Sequence, residues 1–142
     1  MGGRHEDRSR PELRQAPRSH WAERVARDYL ERRGWRTLAT NYRLRGGEID
    51  LVMQTPAGEQ PGEQPGDQES TVVFVEVKQR ASHAHGHAAE AISRRKLTKI
   101  RLAANHYLAF KLRNADARSR IDAVLVSGTE TEHAVTHLEA VG

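Results

Sequence analysis

The sequence predicts an α/β domain in which helices pack on a mixed β-sheet, and three observations carry that expectation. Two stretches place apolar residues at helical spacing, one before and one after the middle of the chain. Between them lies Thr71–Lys78 (TVVFVEVK), whose β-branched run reads as a central strand. Glu48–Gln54 alternates in the manner of a half-buried strand. Taken along the chain, the predicted order is α-β-β-β-α-β-β.

The first 18 residues mix Gly, Pro, Arg and acids without a period, so a disordered basic tail is expected over 1–18 and a single domain over 19–142. Ser19 is a plausible N-cap, followed by Trp21, Ala22, Val25, Ala26, Tyr29 and Leu30 on one helical stripe, with Gly34 placed as a C′ residue. A strand is expected over Thr37–Leu44, then a turn at Arg45-Gly46-Gly47. Period-2 alternation puts Ile49, Leu51 and Met53 on one face of the next strand and Glu48, Asp50 and Val52 on the other. The Gly-Glu-Gln-Pro near-repeat over residues 55–70 predicts a disordered loop. After the central strand come a His-bearing loop over Gln79–His87 and a long helix over Ala88–Lys111, striped by Ile92, Leu97, Ile100, Ala104, Tyr107 and Leu108. Ile121–Ser127 and the short His133–Leu138 complete the sheet.

Composition narrows the function classes. The 142 residues contain no cysteine, which excludes a disulfide scaffold, a thiolate zinc site and cysteine nucleophilic catalysis. No apolar run approaches the ~20 residues that span a bilayer, and the charged N-terminus has no apolar core of a secretory signal. A cytoplasmic protein without membrane partners is expected. The formal net charge of +4 is unevenly spread, because the acidic loop offsets basic segments on either side. Arg dominates the basic residues, and its guanidinium fork suits phosphate, so nucleic acid is the partner class that charge favours.

The chemistry-bearing pattern is a pair of acids on neighbouring predicted strands with a lysine two residues after the second. In the central strand, Phe74, Glu76 and Lys78 share one face and Val73, Val75 and Val77 the other. A strand this apolar should not carry Glu and Lys inward unless they are paired or bind something. Asp50, between Ile49 and Leu51, raises the same question. Convergent carboxylates suit Mg²⁺ or Mn²⁺, which could polarise a phosphodiester, while a nearby ammonium steadies developing negative charge. The spacing alone leaves a surface Glu76–Lys78 pair with a solvated Asp50 equally open.

The strings Arg45-Gly46-Gly47-Glu48-Ile49-Asp50-Leu51-Val52 and Val73-Phe74-Val75-Glu76-Val77-Lys78-Gln79-Arg80 resemble the YraN family of uncharacterised bacterial proteins. That family is similar to the PD-(D/E)XK, restriction-endonuclease-like superfamily and to its Holliday-junction resolvases. The likeness extends from Trp21 to Leu138, through Ala22-Glu23 and Tyr29-Leu30, Asn41-Tyr42-Arg43, Glu90-Ala91-Ile92 with Lys96, and Ile121-Asp122-Ala123-Val124. It implies a restriction-endonuclease-like fold and a metal-dependent endonuclease acting on DNA, branched or damaged DNA included. By the same resemblance Asp50 and Glu76 hold Mg²⁺ (or Mn²⁺), Lys78 is the catalytic lysine, and Glu23 is the helical acid that completes the site. A non-catalytic nucleic-acid-binding module and a protein-interaction scaffold of the same fold remain the alternatives. Resolvases of this superfamily act as dimers, so a homodimer is compatible with the resemblance, although no dimer seam is legible.

Other features have weaker claims. Arg94, Arg95, Lys96 and Lys99, with Arg101, form a basic run that could lie along a phosphate backbone; the resemblance favours phosphate contact at Lys96. His83, His85 and His87 alternate in a loop, for which plain solvation is favoured over metal binding. Gln79 is a weaker candidate. Trp21 and Trp35 are expected in packing roles, not as base-stacking platforms.

Overall fold

A computed structural model describes residues 10–57, 70–80 and 92–142, with the backbone alone described over 10–20. Helix α1 spans Arg10–Arg32 and helix α2 Arg94–His106; the strands are β1 (Arg36–Leu44), β2 (Gly47–Gln54), β3 (Val72–Arg80), β4 (Ser119–Gly128) and β5 (His133–Leu138). The predicted element order is the observed one. The strands lie in the spatial order β1-β2-β3-β4-β5, with β3 and β4 parallel and every other neighbouring pair antiparallel. The parallel pair follows from α2, which carries the chain back across the sheet between β3 and β4.

Two apolar layers enclose the sheet. On one face Ala22, Ala26 and Leu30 of α1 pack with Trp35, Leu51, Met53, Val73, Val75, Val124 and Val126. On the other, Ile100, Ala103 and Ala104 of α2 pack with Ile49, Val52, Phe74 and Ala123. The alternation Val72/Phe74 against Val73/Val75 runs as the sequence predicts. In β2 it does not: Ile49 packs with Val52 on the α2 face, whereas Leu51 and Met53 face α1. The strand changes its facing at Asp50, opposite Asn41, which takes a left-handed φ of 51° inside β1. A strict period of two cannot anticipate that break.

Helix boundaries also differ from expectation. Helix α1 is already helical at Arg10, the first described residue, so Arg10–Arg18 are part of the helix where a disordered tail was expected, and Ser19 lies within it. The expected C′ glycine holds: Gly34 has φ +93°, and Trp35 N–H donates to the Leu30 carbonyl at 3.2 Å. Helix α2 starts at Arg94, where Ser93 caps it by accepting from Lys96 N–H at 3.1 Å; residues 88–91 of the expected helix lie outside the described residues. The last residues of the predicted helix, Tyr107–Lys111, form a π-helical turn.

The insertion between β2 and β3 is tied at its base. Thr55 N–H donates to the Thr71 carbonyl at 2.9 Å, and Thr71 N–H to Thr55 Oγ1 at 2.9 Å. Thr55 is therefore buried and ordered, contrary to the expected loop boundary. The rest of the insertion, residues 58–69, and His83, His85 and His87 lie outside the described residues. Among the described residues, no helix is long and apolar enough to cross a membrane.

Candidate active site

The site forms where β2 and β3 separate. Their ladder is regular from Gln54↔Val72 to Leu51↔Val75 and stops there. At the next position the Asp50 side chain substitutes for a backbone carbonyl: Val77 N–H donates to Asp50 Oδ2 at 2.8 Å. A carboxylate that takes over a ladder bond splays the strands and holds its remaining oxygen free of the sheet. Glu76 sits beside it, its side chain only 5% exposed, with Oε1 buried and without a hydrogen-bond partner. The two carboxyl groups are within hydrogen-bonding reach of each other.

Each acid pays electrostatically for this arrangement. Burial, opposed in part by the Val77 amide, pushes Asp50 above the usual carboxylate range. Burial and the neighbouring Asp50 charge push Glu76 up as well. Glu23, on α1, closes the site from the other face; burial first and Asp50 second raise it to about 7. Asn41 Nδ2 lies 3.5 Å from Glu23 Oε1, so the left-handed residue of β1 holds the helical acid toward the strand break. Such backbone is uncommon for a residue other than glycine, and Asn tolerates it best.

Two lysines approach from the α2 side. Lys78 Nζ is 4.0 Å from Glu76 Oε2 and its side chain 39% exposed. Lys96 Nζ contacts Glu48 at 2.5 Å and lies 3.8 Å from Glu76 Oε2. Burial works against the Lys96 charge, but the Glu48 hydrogen bond and the surrounding carboxylates outweigh it, and its pKa rises. Glu48 is held low, first by that same bond. The approach depends on Gly47, where a Cβ would meet Lys99 O at 3.0 Å and Ala103 N at 3.1 Å. Only a glycine lets the start of β2 press this closely against α2.

Asp50, Glu76, Lys78 and Glu23, singled out in the sequence, are thus brought to one place. Lys96 is brought there too, paired with Glu48 and Glu76, whereas Arg94, Arg95 and Lys99 are exposed on α2. Glu48 and Asn41 are additional members. Glu48 was legible as the acid sharing a face with Asp50; the turned backbone of Asn41 left no signal. Gln79 Oε1 is buried without a partner one residue beyond Lys78. Trp35 is in the core, and Trp21 packs against the His133 ring at 5.9 Å.

Among the described residues no cluster of three or more His, Asp or Glu has metal-ligand geometry. What the site offers a cation is the Asp50–Glu76 pair: hard oxygen donors, one of them buried and unsatisfied, in a pocket that already raises the proton affinity of both. Those properties fit a small divalent ion that keeps part of its water shell.

Fold and site together define an α/β domain with an acid–acid–lysine centre at a strand break. The sequence profile described as "Uncharacterised protein family UPF0102" matches residues 22–126. The chain belongs to that family. It is 37% identical over 111 residues to a UPF0102 protein of Aeromonas hydrophila, covering 78% of this chain and 75% of the relative. A UPF0102 protein of Dechloromonas aromatica is 39% identical over 115 residues, with 81% and 82% covered. One from Saccharophagus degradans is 38% identical over 111 residues, with 78% and 83% covered.

Proposed function

We propose that this protein is a divalent-metal-dependent nuclease that hydrolyses phosphodiester bonds in DNA. The observation that carries the reading is the pairing of Asp50 with Glu76 at a strand break, with Glu76 Oε1 buried and unpartnered. A structural ion pair would leave no acceptor unsatisfied, because a buried carboxylate oxygen without a donor costs about 1–3 kcal/mol or more. Asp50 and Glu76 would hold Mg²⁺ or Mn²⁺. When bound, such an ion polarises the phosphodiester and makes water more acidic.

The chain's own groups supply the rest. Lys78, two residues past Glu76 and partly exposed, can donate to the attacking water or to the phosphoryl oxygens on which negative charge builds. Glu23, with a pKa of about 7, is poised as a base that accepts a proton near neutral pH. Exposed Arg94, Arg95 and Lys99 supply positive charge along which a backbone could lie. The absence of a membrane-spanning helix among the described residues is compatible with a cytoplasmic enzyme on DNA.

The test is cleavage of a panel of linear, nicked and branched DNA, with RNA beside it, in Mg²⁺ and in Mn²⁺. Wild type should cut at least one substrate. Lys78→Ala should lose roughly 10²–10³-fold in rate or more, the scale for removing a group that stabilises transition-state charge, while the metal-induced rise in melting temperature survives. Asp50→Asn should lose both cleavage and that rise. Binding without cleavage by wild type, together with a melt indifferent to Mg²⁺, would establish the binding module instead.

A further inference from the structure

Beside Asp50, on the α1 face, lies a cleft that shares Glu23 and Asn41 with the site above but whose arginines and Thr40 have no role there. It has a volume of about 210 Å³ and is lined by Glu23, Arg24, Arg27, Thr40, Asn41 and Leu51. Its walls are α1 on one side and β1 on the other, with Leu51, the residue after Asp50, at the floor. This is smaller than the ~300–1,000 Å³ of pockets that enclose drug-sized ligands. It is the scale of a phosphate with its attached sugar.

The donors are arranged for an anion. Arg24 is anchored by Glu130, its Nη2 2.8 Å from Oε2. Arg27, one helical turn after Glu23, makes no hydrogen bond or ion pair within the described residues, although it is half-buried. A half-buried guanidinium that bonds to no described side chain, with the Glu23 charge as its nearest electrostatic partner in the cleft, is free to take a planar or tetrahedral oxyanion in its fork. Thr40 adds an exposed hydroxyl from β1. Asn41 adds an amide whose direction is set by the left-handed backbone at φ 51°, a conformation that persists only where the surroundings hold it.

We propose that this cleft binds a backbone phosphate of the nucleic-acid strand, adjacent to the one at Asp50 and Glu76, with Arg27 as its principal ligand and Thr40 and Asn41 as neutral donors. The inference rests on the nuclease reading and adds to it a residue on the opposite face of the sheet from the basic α2 surface. A strand laid across the end of β2 and β3 meets both: Arg94, Arg95 and Lys99 on one flank, Arg27 on the other. A free mononucleotide has one phosphate and cannot span the two, which is why a strand is the expected occupant.

The experiment measures binding of a fluorescein-labelled DNA duplex by anisotropy across a salt series, in an Asp50→Asn chain so that no cleavage intervenes. Adding Arg27→Met should weaken binding about tenfold and reduce the salt slope by about one released counterion. Arg27→Lys should restore the slope while recovering only part of the affinity, because charge returns without the fork. Arg36→Met, at the far end of β1, should change neither quantity. Unchanged affinity and slope in the Arg27→Met chain, equal weakening by Arg36→Met, or no DNA binding at all would each overturn the proposal. So would thymidine monophosphate displacing the duplex as effectively as unlabelled duplex does, which would assign the cleft to a free nucleotide. The two readings fail separately. Arg27-dependent binding with no cleavage by wild type keeps the cleft and removes the nuclease. Cleavage with Arg27-independent binding does the reverse.

Discussion

Two buried acid clusters occupy this sheet, and they are built on opposite principles. Asp122, on β4, is fully buried and fully satisfied. Arg120 donates twice, at 2.9 and 3.2 Å; Ala140 N–H donates at 2.9 Å; and His137 Nε2 lies 2.8 Å away. Arg33 donates to His137 Nδ1 at 2.8 Å, which fixes the proton on Nε2, aimed at Asp122. Burial alone would raise Asp122, yet the His137, Arg120 and Ala140 donors outweigh it and hold the carboxylate below its ordinary range. At Asp50 and Glu76 the balance is reversed: burial wins, both acids are pushed up, and one oxygen has no donor. Burial is common to the two clusters, so it does not mark function. The difference lies in whether the fold completes the carboxylate's hydrogen bonds or leaves them to something from outside.

The largest expected effect separates the clusters by stability. Asp122→Ala leaves the largely covered Arg120 with only Glu139, 3.7 Å from its Nη2, strands the His137 N–H and opens a hole where Asp122 was fully buried, so it should destabilise by about 3–5 kcal/mol. In a domain of this size that lowers the melting temperature by on the order of 10 °C. Asp50→Asn removes a repelling charge beside Glu76 and should leave the metal-free melt unchanged or higher. Thermal melts of the two variants in EDTA check the pair. Comparable losses from both substitutions would make the strand-break acids as structural as Asp122.

Dependence on pH should sharpen the same contrast. Glu23 has a folded pKa of about 7 against an ordinary 4.5, and Glu76 and Asp50 are raised as well. Over the interval from the ordinary value up to the raised one, the folded chain binds more protons than the unfolded chain, so stability falls as pH rises. Asp122 contributes with the opposite sign: its stabilisation is present above the unfolded pKa and is lost as pH falls through the lowered folded value. Urea midpoints from about pH 5 to pH 8, the span over which native stability usually peaks, should therefore decline without metal. Asp50→Asn should flatten the decline, and Mg²⁺ should reverse it by occupying the deprotonated acids. A midpoint that rises across that span without metal would mean the acids are already compensated.

Much of this contrast can be traced to what a one-dimensional pattern records. The GEIDL and FVEVK strings place Asp50, Glu76 and Lys78 on adjacent strands because alternation and β-branching act locally, and β5 is observed over the predicted His133–Leu138 for the same reason. The changed facing of β2 was illegible, since it coincides with the left-handed Asn41 on β1 and the Asp50 bond to Val77 on β3, both contacts between strands. Lys96 was expected to contact phosphate as one member of a basic run; its direction toward Glu48 and Glu76 depends on Ser93 capping α2 and on Gly47 admitting the helix close to β2. Asp122 carries a signal in the sequence, a lone acid inside the apolar run Ile121–Val124. Its partner His137 is a long step away in sequence and meets it only through β4–β5 pairing.

The smallest expected effect concerns the Glu48–Lys96 pair, which sits between the two principles. The pair is close, but Glu48 is 38% and Lys96 25% exposed, so water screens much of the attraction. A double-mutant cycle with Glu48→Gln and Lys96→Met should give a coupling of about 1 kcal/mol or less in stability. Its consequence for the acids should be easier to detect. Lys96 is the nearest cation that lowers Glu76, along with Lys78, so Lys96→Met removes a charge that opposes the upward shift. The metal-free decline of stability with pH should then extend further upward in Lys96→Met than in wild type. Glu48→Gln leaves the ammonium in place and should extend it much less. If the cycle instead returns a coupling comparable to the loss from Asp122→Ala, and the pH profile stays fixed, Lys96 is a structural partner of β2 and its proximity to Glu76 has no electrostatic role in the site.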